Sequence, residues 1–388
     1  MRICLINHSF PPQIGGGETH MYLLAKGFAM RGHDVTVVTD GNISGSEPDE
    51  GFTVERIRGF RRFEKGETSF RYILDDFYRV LCSNNFDVVH VHNFMPGLAY
   101  ASIAPLVKTK KTVFTFHSTP VPEENKILGY YKNFNVEKSF AEFILRLPFY
   151  NTLVCPSRYY YDWALKLGVN KEKLKLVYHG IEEKNFSLNT DYNWRLMNGY
   201  PRDNFIVVCP ARMIKRKGIL DLVKAIKIIN DPKIKLYIPT SVKNGSSNYL
   251  KIVSEYVKRK KLSGVVKIAV DEENLSTMPQ VYANCDICVL PSHIESLGIV
   301  LLEAMAAGIP VIGSDTSGIN EVIENEKNGL LAKPQNPKDL AEKITRLKAN
   351  STLSTKLKMG GKNSIRSKFS LSHQLESLEI IFNNTYEK

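Results

Sequence analysis

The segment from His293 to Val311 holds two carboxylates eight residues apart, Glu295 and Glu303, on either side of Leu297-Gly298-Ile299-Val300. Glu303 sits among Leu301, Leu302, Ala304 and Met305, a setting that does not suit a purely solvated face. A buried carboxylate needs donors, and the two hydroxyls of a ribose would supply them. Glu295 would suit sugar hydroxyls. Gly298 and its neighbours would offer backbone N–H groups at a helix start, where a phosphate is favoured. The plainer alternative is one capping acid and one helix-surface acid. The coincidence of spacing, helix start and small residues favours ligand binding. A second candidate is Arg212-Met213-Ile214-Lys215-Arg216-Lys217-Gly218, four cations in six residues. A diphosphate would suit it, with Arg as a planar fork and Lys as a point charge; a solvated basic loop is the alternative.

Two further features are weaker alone. Pro11-Pro12-Gln13-Ile14-Gly15-Gly16-Gly17-Glu18 follows the first strand and opens the first helix. Backbone N–H groups can approach an anion there, although the segment taken alone reads better as a tight βα turn with Glu18 as a helix-end charge. The segment is neither GxGxxG nor a P-loop. His117 ends a strand, where a histidine is more often structural; His90 and His92 rank below it. No His/Asp/Glu spacing suggests a metal site, and no GxSxG elbow occurs.

These residues need a scaffold, and the hydrophobic pattern supplies one. Strands are predicted at Arg2–Asn7, Val35–Thr39, Phe52–Ile57, Asp87–His92, Thr112–His117, Leu153–Pro156 and Lys175–Tyr178. Helical spacing is seen over Glu18–Arg31 and Phe70–Cys82. The alternation then restarts, with strands at Phe205–Cys209, Lys235–Ile238, Val265–Ala269, Ile287–Leu290, Val311–Ser314 and Gly329–Ala332. Short apolar strands separated by helices imply parallel sheets covered on both faces. The polar stretch from Gly180 to Asn204 marks the boundary. The tail, Leu371–Tyr386, repeats Leu375, Leu378, Ile381 and Phe382 at helical spacing and is expected to cross back onto the first domain. The arginine and lysine run follows a strand and precedes a helix, at the carboxyl edge where open α/β sheets bind ligands.

The 388 residues fit two domains. No apolar run reaches the roughly 20 residues of a membrane span. The N-terminus lacks a secretory h-region, so a cytoplasmic location is expected. Six cysteines lie in apolar contexts; the lone CxxC, Cys285 to Cys288, reads as buried thiols. The net charge is +12, of which residues 1–190 contribute +3 and residues 191–388 contribute +9. An anionic partner is therefore expected in the second half. No recognised motif or aromatic-basic platform supports nucleic-acid binding.

The sequence resembles the retaining glycosyltransferases of family 4, whose GT-B fold pairs two facing Rossmann-like, doubly wound α/β domains across a cleft. The likeness rests on Gly15-Gly16-Gly17-Glu18, Arg31-Gly32-His33-Asp34-Val35, Pro156-Ser157 and His179-Gly180-Ile181. It continues through Arg212…Lys217-Gly218, Glu295…Glu303, Ala307-Gly308-Ile309-Pro310-Val311, Gly318-Ile319-Asn320-Glu321-Val322-Ile323 and Asn328-Gly329-Leu330. It implies an acceptor-side domain of residues 1–187 with 371–388 and a donor domain of residues 188–370. By resemblance, Arg212 and Lys217 hold the diphosphate and Glu303 the ribose. Glu295 lies near the donor sugar, and Leu297, Gly298 and Ile299 form the turn reaching phosphate and sugar. Gly15 and Gly16 belong to a loop closing over donor and acceptor, and His117 stands near the transferred sugar. Three places depart from the family pattern: Ser296-Leu297-Gly298 stands where an aromatic-glycine pair is usual, with the glycine kept; Ser317-Gly318-Ile319-Asn320 stands where a glycine pair precedes an acidic residue; and His179-Gly180 stands where asparagine-glycine is usual.

The implied reaction is transfer of a hexose or N-acetylhexosamine from a nucleotide sugar, with a UDP-sugar expected, to an acceptor hydroxyl. No cofactor or metal is required. Both carboxylates are committed to the donor, which favours a front-face route over the glycosidase double displacement. The acceptor is a glycan, a lipid-linked precursor or a secondary metabolite such as an aminocyclitol. Arg56-Ile57-Arg58-Gly59-Phe60-Arg61-Arg62-Phe63-Glu64-Lys65 would suit peripheral contact with the inner membrane face, or is a solvated loop. Glu123-Glu124 would suit a cationic acceptor. The rival readings are an epimerase or hydrolase on the same fold and a non-catalytic nucleotide-sugar binding protein.

Overall fold

The computed structural model describes residues 1–11, 16–41, 45–60, 69–117, 142–186, 194–240, 247–272 and 277–384. Gly15, Glu123-Glu124 and the Arg61–Lys65 half of the basic run lie outside them. Two compact units form, Met1–His179 with Leu371–Lys388, and Gly180–Ser370.

In the first unit the strands are β1 (Arg2–Ile6), β2 (Asp34–Gly41), β3 (Gly45–Asp49), β4 (Phe52–Arg58), β5 (Phe86–His92), β6 (Thr109–Thr115), β7 (Thr152–Cys155) and β8 (Leu174–Leu176). They lie in the order β3-β4-β2-β1-β5-β6-β7-β8. All neighbours are parallel except β3, which pairs antiparallel with β4 at the edge. Successive residues point to opposite faces of a strand, and β1 is apolar on both. Ile3 and Leu5 join Met21, Leu24 and Phe28 on one face. Cys4 and Ile6 join Ile73, Phe77, Tyr100 and Phe114 on the other. This double burial explains the near-continuous apolar runs.

The tail forms a helix, Leu371–Asn383, within the first unit. Leu375, Leu378 and Phe382 complete the face formed by Met21, Leu24 and Phe28. A Cβ on Gly27 would stand 2.5 Å from a Leu375 methyl, so the two helices meet closely at that glycine. Glu379 accepts from Arg31 at 2.9 Å and faces His33 at 2.9 Å. Strand β6 begins at Thr109 and stops at Thr115, earlier than the predicted Thr112–His117, so His117 lies two residues past it. The polar start of β6 is tolerated because Lys111 donates to the carbonyls of Ile381 and Asn384 at the end of the tail helix. A cation is favoured at a helix C-terminus.

In the second unit β9 (Phe205–Val208), β10 (Ile234–Thr240), β11 (Val266–Val270), β12 (Ile287–Leu290), β13 (Val311–Ser314) and β14 (Leu330–Ala332) are parallel, in the order β11-β10-β9-β12-β13-β14. The helices Ile219–Ile229 and Pro337–Ala349 share a core with Val207, Leu236, Ile238, Ile287 and Val289. The helix Ser351–Lys368 was not anticipated, because it is largely polar. Glycines place it: a Cβ on Gly360 would lie 2.1 Å from the Lys327 carbonyl oxygen. The cysteines are free thiols, all buried except the half-buried Cys82. Among the described residues no helix is long and apolar enough to cross a membrane.

Candidate functional site

The second sheet changes direction between β9 and β12, since the chain builds β10 and β11 on one side and then returns to the other. The crevice at the carboxyl ends of such strands is where open α/β sheets bind ligands. The two segments following β9 and β12 meet there. Gly218, with φ +66°, sits against the Pro291 carbonyl, where a Cβ would stand 1.9 Å from the oxygen. The His293 amide donates to the Arg216 carbonyl at 2.8 Å, and the His293 ring meets Asp221 at 2.7 Å.

This interlock brings together residues 78 apart. Lys217 forms an ion pair with Glu295, with only 14% and 8% of the side chains exposed. Ser292 Oγ donates to the same carboxylate oxygen at 3.2 Å. The Ser296 amide donates to the other oxygen at 3.2 Å. Ser317 Oγ holds the Glu295 backbone from both sides, accepting from its N–H at 2.9 Å and donating to its carbonyl at 2.6 Å. The Gly318 amide also donates to that carbonyl, at 3.1 Å. Burial alone would raise the Glu295 pKa, but Lys217 and Arg216 outweigh it and hold the carboxyl at about 2. Burial lowers the Lys217 pKa against the pull of Glu295, with Arg216 and Arg212 adding to the decrease. Arg212 is an exposed residue whose charge acts on Lys217.

Gly298, with φ +91°, precedes the helix Ile299–Ala306. Leu297 and Gly298 are buried and Ile299 is half-buried. Inside this helix Glu303 is half-buried and accepts from the Tyr282 hydroxyl at 2.7 Å. Burial raises its pKa to about 7, and the Tyr282 hydrogen bond opposes the rise. The expected donor partner for Glu303 is thus in part a protein hydroxyl. Tyr282, Ser292 and Ser317 were not singled out as partners of these acids. Ser317 carried the one visible signal, as the position replacing a glycine.

The remaining candidates lie in the first unit. Its sheet changes direction between β1 and β5, and Asn7 and Asn93 follow those strands. Asn93 Nδ2 donates to Asn7 Oδ1 at 3.0 Å, and Asn93 Oδ1 accepts from the His117 amide at 3.2 Å. His117 Nε2 faces His92 Nδ1 at 2.8 Å, with the rings stacked 5.1 Å apart. His90 is buried against Thr115 at 2.8 Å. Gly16 is the first residue of the helix Gly16–Met30. The sequence spacing showed no metal-ligand set, yet His20 and His179 join His117 here in a group of three able to hold an ion.

Two family models match the chain. Glycosyltransferase Family 4 matches residues 14–185. Glycosyl transferases group 1 matches residues 193–364. An uncharacterized glycosyltransferase of Methanocaldococcus jannaschii is 27% identical over 357 residues, covering 89% of this chain and 89% of that one. Among solved structures, sucrose-phosphate synthase from Thermosynechococcus elongatus superposes with a TM-score of 0.83 at 21% identity, over 98% of both chains. The Anabaena protein HepE in complex with UDP-glucose superposes with a TM-score of 0.80 at 18% identity, over 98% of this chain and 99% of that one.

Proposed function

Because the chain belongs to the family 4 glycosyltransferases and has the GT-B fold, we propose that it moves a hexosyl or N-acetylhexosaminyl group from a UDP-sugar to an acceptor hydroxyl, with retained configuration. The observation that carries this reading is the Lys217–Glu295 pair at the carboxyl ends of β9 and β12, with Arg212 and Arg216 beside it. Cations there suit a diphosphate, and a carboxylate kept ionised at about 2 suits sugar hydroxyls. The N–H groups of Leu297, Gly298 and Ile299 would meet phosphate and sugar, and Glu303 the ribose. UDP as the nucleotide is supported by the likeness to HepE, which was solved with UDP-glucose.

Retention is assigned to a front-face route. The anomeric carbon–oxygen bond breaks with its electron pair passing to the diphosphate. The acceptor oxygen bonds to the same face, and its proton passes to a departing phosphate oxygen. Glu295 is a poor nucleophile for double displacement, because Lys217, Ser292 and the Ser296 amide already occupy its oxygens. Arg212 and Lys217 supply the positive charge that the leaving group needs, without calling on a metal. By the family resemblance, His117 would serve near the transferred sugar, Gly15 and Gly16 would belong to the loop closing over donor and acceptor, and acceptor recognition would fall to the first domain. The acceptor is a glycan, a lipid-linked precursor or an aminocyclitol-type metabolite.

The test is a UDP-sugar panel incubated with the full chain and pools of these acceptors, read by mass spectrometry. An acceptor gaining one hexose or N-acetylhexosamine is expected. Arg212→Ala, at an exposed position, should keep the fold and lose about 100-fold or more in transfer. Unchanged transfer by that variant overturns the diphosphate assignment. Donor hydrolysis or epimerisation with no acceptor product overturns the transfer reading.

A further inference from the structure

His20, His117 and His179 are distant in sequence and adjacent in the fold. His20 lies in the helix Gly16–Met30, His117 two residues beyond β6 and His179 three beyond β8. The His20 ring stacks 4.0 Å from His179 and lies 5.4 Å from His117; His117 and His179 are 5.0 Å apart. One ligand atom from each lies within 4.8 Å of the other two. His20 and His179 are only 4% and 6% exposed.

Their hydrogen bonding is incomplete in a consistent way. His20 Nε2 meets the Gln374 amide at 2.7 Å, and His117 Nε2 meets His92 Nδ1 at 2.8 Å. In both rings Nδ1 is buried and lacks a hydrogen-bond partner among the described residues, and in His179 both nitrogens do. Such atoms normally find a partner, because a buried polar atom left unmet is destabilising.

We propose that His20, His117 and His179 form a three-imidazole site for one zinc-class divalent ion. Imidazole donors suit zinc and its neighbours, whereas magnesium and calcium prefer oxygen ligands. Gln374 and His92 stand where metal-binding histidines keep the partner that fixes ring orientation. Tetrahedral zinc bonds of about 2.0–2.1 Å place ligand nitrogens roughly 3.4 Å apart, so the rings close inward on the ion. Three protein ligands leave a fourth position for water. The ion takes the His117 nitrogen that a sugar hydroxyl would use, so bound ion and the sugar-facing role proposed for His117 exclude each other, and the loaded protein should be inhibited in transfer. Metal binding measured without donor tests the site apart from that reaction.

The test uses the full chain, freed of metal and titrated with Co²⁺ or Zn²⁺ without donor. Expected are one equivalent bound, tetrahedral Co²⁺ absorption bands displaced by Zn²⁺, and a raised melting temperature. His179→Asn introduces the residue usual in the resembling family. With an unchanged circular dichroism spectrum it should lose the bands and weaken Zn²⁺ binding by about 100-fold or more; Gln374→Met should weaken it by roughly 10-fold. Absence of stoichiometric binding to the native chain, or binding unaffected by His179→Asn and by His20→Gln, overturns the proposal.

Discussion

Donor binding should weaken below about pH 7, and the cause should be Glu303. Burial raises the pKa of this carboxyl to about 7 even with Tyr282 donating to it. A ribose diol donates hydrogen bonds and so selects the ionised form. At lower pH the empty site holds a proton that the donor must expel, and affinity therefore rises with pH and levels off above the pKa. For a pKa of about 7, Kd should be about twofold above its plateau at pH 7 and about tenfold above it at pH 6. Isothermal titration with a UDP-sugar suits the measurement, since its diphosphate diester does not titrate in this range. Glu303→Gln should bind more weakly with a flat profile. Tyr282→Phe removes the hydroxyl that favours the carboxylate and should move the midpoint to higher pH. A native profile that is flat from pH 6 to 8, or one that Glu303→Gln leaves unaltered, refutes the ribose assignment.

Other perturbations test the seat of Glu295. Lys217→Met strands a carboxylate that is only 8% exposed and should cost about 3–5 kcal/mol in urea unfolding. Adding Glu295→Gln should recover most of that stability while transfer stays lost; a single variant as stable as the native chain contradicts the ion-pair account. Gly318→Ala puts a Cβ 1.9 Å from the Ser296 carbonyl oxygen, so the backbone carrying Glu295 must shift. It should lower stability by about 1–3 kcal/mol and weaken donor binding, and native values for both would contradict the close packing.

Much of this was legible because one-dimensional patterns carry it. Apolar strands between amphipathic helices dictated two doubly wound sheets, and Leu375, Leu378 and Phe382 signalled a tail with a face to bury. Glu303 announced a buried acid through its apolar neighbours. The partners stayed hidden because they arrive from elsewhere in the chain. Tyr282 is 21 residues from Glu303, and Ser317 is 22 from Glu295. The three histidines are invisible to any spacing rule, since the helix, β6 and β8 that present them meet only in the folded sheet. The Ser351–Lys368 helix was missed for a different reason. It buries only Leu353, Leu357, Gly361 and Ile365 of its 18 residues, a narrow stripe in an otherwise polar segment.

The central claim is transfer with retained configuration through the Arg212, Lys217 and Glu295 constellation. Proton NMR of the product formed from an α-linked UDP-sugar reads it directly, through the anomeric coupling of the first product to appear. An α-glycoside is the predicted result. A β-glycoside would contradict the front-face route.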